Sequence, residues 1–188
     1  HNAFALCGDR FVLRDQSAQR TIAGGHIIDP FSFKRGRAKP SRIAILKAMN
    51  KENTAVALQA LATHSESGVQ LQPFAISHNL PSDQIDAMIV SLGLLRVGDA
   101  PKERIFCESR WRGLMALILN AVGSIHKSKP KSIGASIKDI KVQLGVFFEE
   151  DSLKLALKIM ISEKRICVNG SRFYLPSHNI YLSEQEKA

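Results

Sequence analysis

The sequence predicts a mainly α chain with small β elements: a hairpin with the character of a partial β-barrel, followed by tandem winged-helix units, that is, helix-turn-helix with a wing. Three observations lead there. Residues 4–30 read as strand, turn and strand; the apolar spacing then changes to a period of 3.6; and the order of helices and short strands that follows occurs twice.

Arg10 to Asp15 (RFVLRD) alternate as a strand, DQSAQ reads as the turn, and TIAGGHII returns with a bend expected at Gly24-Gly25. A lone hairpin is marginal in water, so the strands that complete its sheet are expected upstream. Lys34, Arg35, Arg37, Lys39 and Arg42, with Gly36 and Pro40, give residues 34–42 the chemistry of a basic linker.

Ile43, Leu46 and Met49 then mark one helix and Val56, Leu58, Leu61 and Ala62 another, broken at Ser65 to Gly68. A short VQL strand, a helix around Pro73 to His78, the helix LPSDQIDAMIVSL and the pair LLRV and RIFCE complete the first unit. In the second, Trp111 to Ile125 form an apolar helix that HKSKPKS breaks. IGASIKDIKVQLG ends at Gly145, EEDSLKLALKIMISE carries Leu153, Leu157, Met160 and Ile161 on one stripe, and RICVNGSRFYLP is a hairpin about Asn169-Gly170. The divisions are therefore 1–33, the end of the barrel; 34–42, the linker; 43–108 and 109–176, the two units; and 177–188, a tail or the start of a further unit, where Ser183 and Glu186 have capping-box spacing.

With 188 residues and 45% hydrophobic content the chain holds one or two cores, and no apolar run approaches membrane-spanning length. No signal-peptide pattern opens it. Cys7, Cys107 and Cys167 lack ligand or pairing spacing and read as free thiols in a reducing, cytoplasmic setting. Nothing has the form GxxxxGK[ST], and His26, His64, His78, His126 and His178 are scattered. No catalytic residue, metal site or cofactor is expected within this chain.

The net charge of +9 is unevenly spread: residues 1–49 carry +6, 50–99 carry −3, 100–176 carry +7 and 177–188 carry −1. The first unit is thus a poor candidate for phosphate contact. A helix-turn-helix reader sets the start of its third helix in the major groove. Here those positions are Pro81-Ser82-Asp83-Gln84 with Asp86, and Glu149-Glu150-Asp151, where carboxylates oppose phosphate yet suit a helix N-terminus. The basic groups left for RNA are Lys127, Lys129 and Lys131 in a loop, Lys138 and Lys141 on the next helix, and Arg165 and Arg172 on the wing of the second unit. Each reads equally as part of a solvated face.

Arg10-Phe11, Leu13-Arg14-Asp15, Arg20-Thr21-Ile22 and the small pair before Gly25 are similar to the last hairpin of the third domain of elongation-factor-Tu-like translation GTPases. The fuller wording GDRFVLRDQSAQRTIAGGHIIDP resembles the bacterial selenocysteine-specific elongation factors, in which a β-barrel domain precedes a string of winged-helix units. The motif covers roughly the first 30 residues; beyond them the resemblance is of architecture. It implies a fragment that lacks the GTPase end, with GTP and Mg²⁺ belonging to the parent. Selenocysteinyl-tRNA, the ribosome and the SECIS messenger hairpin are the implied partners, the last held by C-terminal units outside this chain. It further implies that the hairpin turn lies beside the T-stem of tRNA, making Arg14, Asp15, Gln16, Ser17 and Arg20 contact candidates; a plain exposed turn accounts for them as well. The two units would act as a spacer. The alternative from another class is a tandem winged-helix DNA-binding regulator with an incidental hairpin.

Overall fold

The first antiparallel pair is β1 (Arg10–Arg14) and β2 (Thr21–His26), exposed along its length, in the computed structural model, which describes residues 5–31, 38–50, 53–145 and 149–178. Gly24 and Gly25 do not bend the chain. They lie inside β2 opposite Val12 and Phe11, and the Phe11 ring passes 2.8 Å from where a Gly25 Cβ would stand. The irregularity sits between Leu13 and Arg14, where the register shifts.

The chain divides into two compact units, residues 1–107 and 108–188. In the first, α1 (Pro40–Met49) begins inside the stretch read as linker, because Pro40 has the fixed φ that suits a first helical turn. Of that stretch, residues 34–37 lie outside the described residues. Then come α2 (Thr54–His64), capped by the Asn53 side chain, β3 (Val69–Gln70), α3 (Leu71–Ser77), α4 (Ser82–Ser91), β4 (Leu95–Val97) and β5 (Arg104–Phe106). The helix α3 starts two residues before Pro73, which a first turn tolerates since the missing N–H has no partner there. The strands form one antiparallel sheet in the order β3-β5-β4. Leu58, Leu61, Phe74, Ile85, Ile89 and Ile105 are central to the core.

The hairpin belongs to this unit. Ile28, just past β2, packs against that core. The Cys7 N–H donates to the Ser77 carbonyl at 2.7 Å, and His26 Nε2 lies 2.7 Å from Asn50 Oδ1. Arg42 of α1 is ion-paired with Asp29, their side chains only 12% and 9% exposed. Burial first, and the Asp29 carboxylate second, push the Cys7 thiol up; its Sγ donates to the Ile28 carbonyl.

The second unit starts with α5 (Glu108–Ser128), which extends past the expected Ile125 and so carries Lys127 on the helix, not in a loop. Next come α6 (Ile137–Leu144), α7 (Glu150–Ser162), β6 (Cys167–Asn169) and β7 (Arg172–Tyr174). Asn169 pairs with Arg172, so the connecting loop is Gly170-Ser171, one residue later than the sequence indicated. The place of β3 is reduced to a single bridge, Ala135 to Phe173. Residues 179–188, including the Ser183 and Glu186 capping spacing, lie outside the described residues.

The repeat extends to single residues. Val69 pairs with Ile105 as Ala135 pairs with Phe173, and each is preceded by a glycine. A Cβ at Gly68 would stand 2.5 Å from the Phe106 ring, and one at Gly134 would stand 2.5 Å from the Phe173 carbonyl oxygen. Gly68 also has φ +73, open to glycine but costly for other residues. Phe106 is fully buried and has nowhere to move.

Gly68→Ala is therefore expected to cost about 2 to 3 kcal/mol, read as a shift of the urea midpoint by circular dichroism. Arg42→Met strands the Asp29 carboxylate and is expected to cost roughly 3 kcal/mol in the same assay. A midpoint unchanged for Arg42→Met would show that the pair does not anchor the hairpin.

Candidate nucleic-acid interface

The turn between β1 and β2 is ordered from within. Asp15 Oδ1 accepts from the backbone N–H of Gln19 at 3.0 Å and of Arg20 at 3.3 Å. The Ala18 N–H donates to the Asp15 carbonyl, Ala18 itself has φ +56, and the Arg14 guanidinium donates to the Ala18 carbonyl at 3.2 Å. The Arg20 amide, above all, holds the Asp15 carboxyl below the usual carboxylate range. Asp15 thus shapes the turn, and Gln16, Ser17 and Arg20 are exposed at its tip.

In the second unit, Lys127, Lys129, Lys131, Lys138 and Arg172 are exposed, whereas Lys141 and Arg165 are half-buried. Asp139 stands among some of them. It closes a capping box with Ser136, accepting from the Ser136 N–H at 2.9 Å and the hydroxyl at 2.6 Å, and Arg172 approaches it at 3.4 Å. The Ser136 hydroxyl first, then its amide, and more weakly Lys129 and Arg172, hold the Asp139 carboxyl low. This geometry brings Lys129 and Arg172 together across one carboxylate. It does not bring Arg165 to them: that guanidinium reaches Met115 Sδ at 3.2 Å and Glu163 at 3.5 Å.

Arg172 has a counterpart. It opens β7 as Arg104 opens β5, yet Arg104 is 4% exposed and donates to the Ser67 carbonyl at 2.8 Å. One position of the repeat is thus structural in the first unit and at the surface in the second.

The first turns of α4 and α7 are acidic, with Asp83 on α4 and Glu150 and Asp151 on α7. Arg96 is ion-paired with Asp86. Glu150 lies between two lysines, Lys154 at 2.7 Å and Lys141 at 3.7 Å, and the Lys154 contact chiefly holds its carboxyl low. Reading only the acidic start of α7 missed Lys154 and Lys158, which are exposed further along the same helix. Lys154 lies four residues after Glu150, and Lys158 four after Lys154, on a helix with a clear apolar stripe; that spacing identifies them.

Residues 1–34 match the family model described as the selenocysteine-specific elongation factor, beta-barrel domain. The chain is also similar to the selenocysteine-specific elongation factor of Escherichia coli K12, 26% identical over 96% of this chain, and to that of Desulfomicrobium baculatum, 22% identical over 95%. Over nearly its whole length the chain is similar to these two factors. It spans 28% of the length of the first relative and 29% of the second. The hairpin resemblance and the mainly α fold with small β elements therefore stand. No helix of the described residues is long and apolar enough to cross a membrane, and no group of three or more His, Cys, Asp or Glu there is placed to hold a metal ion.

Because Asp139 is held low by contacts made only in the folded unit, its contribution is complete above the ordinary carboxylate value of about 4 and is lost as pH falls through the lower folded value. Ser136→Ala removes the cap. It is expected to cost about 1 kcal/mol by urea denaturation followed at Trp111, and to raise the Asp139 carboxyl in an NMR titration. An unmoved Asp139 would contradict the dominant role of the Ser136 hydroxyl.

Proposed function

We propose that this chain is a portion of a selenocysteine-specific elongation factor, in which two winged-helix units act as a spacer associated with RNA. The similarity to two such factors along nearly the whole chain carries the reading. In it, the parent uses GTP and Mg²⁺ to deliver selenocysteinyl-tRNA to the ribosome in the cytoplasm, and further units hold the SECIS hairpin. This portion performs no reaction and contributes surfaces and distance.

The charge distribution supports two contacts. The tip of the β1–β2 turn presents Gln16, Ser17 and Arg20 as short polar and cationic groups beside Arg14, suited to the 2′-hydroxyls and phosphates of an A-form stem. In the second unit Lys127, Lys129, Lys131, Lys138 and Arg172 present cations from the end of α5, from α6 and from the wing. The helices and three-stranded sheet of the first unit offer neither: Arg96 is ion-paired with Asp86, and the first turn of α4 carries Asp83. The same carboxylates weigh against base reading by a DNA-binding regulator.

Replacing Lys127, Lys129 and Lys131 together by Glu is expected to weaken binding to structured RNA about tenfold, whatever its sequence, and to flatten the salt dependence. Arg96→Ala is expected to leave affinity within about twofold, since it contributes no phosphate contact. Fluorescence anisotropy on one labelled stem-loop at several salt concentrations measures both. A larger loss from Arg96→Ala would reject the passive-spacer role, and a single consensus selected from random duplex DNA would favour the regulator.

A further inference from the structure

His126, on the last turn of α5, is 8% exposed, and its Nε2 has no hydrogen-bond partner. The His178 ring stacks on it with centroids 3.8 Å apart and planes 13° from parallel. His178 reaches that position because its Nε2 donates to the Ser132 carbonyl at 2.9 Å and its backbone N–H donates to the Leu175 carbonyl at 2.9 Å. Residues 175–178 are thereby folded back onto the end of α5. Leu175 also lies beside Gly123, where a Cβ would be 3.6 Å from its Cδ1.

We propose that the His126–His178 stack is an acid-released latch that holds residues 175–178 on the end of α5. A neutral imidazole leaves one nitrogen unpaired at His126, a tolerable cost; an imidazolium there would bury a charged N–H with no acceptor, under the stacked His178 ring. Among the described residues no carboxylate relieves this. On α6, Asp139 is engaged by Ser136 and Arg172; on α7, Glu150 is engaged by Lys154 and Lys141, and Asp151 acts on Lys154. The other charged groups on α6, α7 and the loop after α5 are the cations Lys129, Lys131, Lys138, Lys141, Lys154 and Lys158; α5 adds Lys127 at this end and Glu108, Arg110 and Arg112 at the far one, and β7 adds Arg172 and the phenol of Tyr174. Burial first, and His178 second, hold the His126 ring below its ordinary value. The latch is thus at full strength above that ordinary value and is lost as pH falls through the lower folded value.

Amide hydrogen exchange on the intact chain, corrected for intrinsic rates, tests this. Protection of residues 173–178 is expected to fall several-fold, up to about tenfold, between about pH 7.5 and about pH 5.5, while the α5 core stays protected. His126→Phe keeps a flat ring in the stack and removes the titration, so the pH dependence is expected to vanish. Retention of the full pH dependence in His126→Phe, or a flat profile in the native chain, would overturn the latch. An independent measure is the NMR titration of His126, expected to move up toward the ordinary imidazole value in His178→Ala. An unmoved His126 would equally reject the proposal.

Discussion

The close approach of the last strand to the segment that precedes the enclosed helices is the constraint on which both helical units depend. Val69, after α2, meets Ile105 in the middle of β5, and Ala135, after α5, meets Phe173 in the middle of β7. Everything between them is thereby confined to one loop of chain. The helices α3 and α4, or α6 and α7, are enclosed between the two paired segments and pack inward on Phe74, Ile85 and Ile89 or on Ile140, Leu153 and Leu157. A side chain on Gly68 or Gly134 would stand between the pairing segments. The second unit retains the constraint with only one bridging residue, so the approach itself matters more than the length of the strand.

Charge is used differently in the two units although their layouts agree. In the first, two cations are turned to structural ends: Arg104 is buried beneath the loop before β3, and Arg42 meets Asp29 where water is largely excluded. In the second, cations gather at the surface and the carboxylates among them serve helix starts. Asp139 and Glu150 therefore have two effects, favouring the N-terminal turns of α6 and α7 while reducing the local positive potential. The net attraction for phosphate comes from what exceeds those carboxylates.

Much of the fold was legible because it rests on periodicity. The stripes through Leu58 and Leu61, through Leu114 and Ile118, and through Leu153 and Leu157 locate helices by the positions they bury. What was not legible depended on partners distant in sequence. The reading of Gly24-Gly25 as a bend follows local rules, but the Phe11 ring across the hairpin decides the matter. Arg42 looked like linker charge because Asp29, its partner, is separated from it by the basic run. No spacing shows that Arg165 points to Met115 or that Asp139 stands between Lys129 and Arg172. Side-chain direction at a surface is set by such neighbours, which pattern alone does not reveal.

The attachment of the hairpin has a mechanical consequence. Four contacts of different chemistry, at Cys7, His26, Ile28 and Asp29, join its root to α1, α3 and the neighbouring core. A force applied at the Arg14–Arg20 tip would reach the helices through these contacts, in parallel with the peptide chain that connects them. The covalent tether and the load path are distinct, so lengthening the tether by insertion would add chain without adding compliance, whereas loosening Asp29 and Arg42 would turn a rigid strut into a joint.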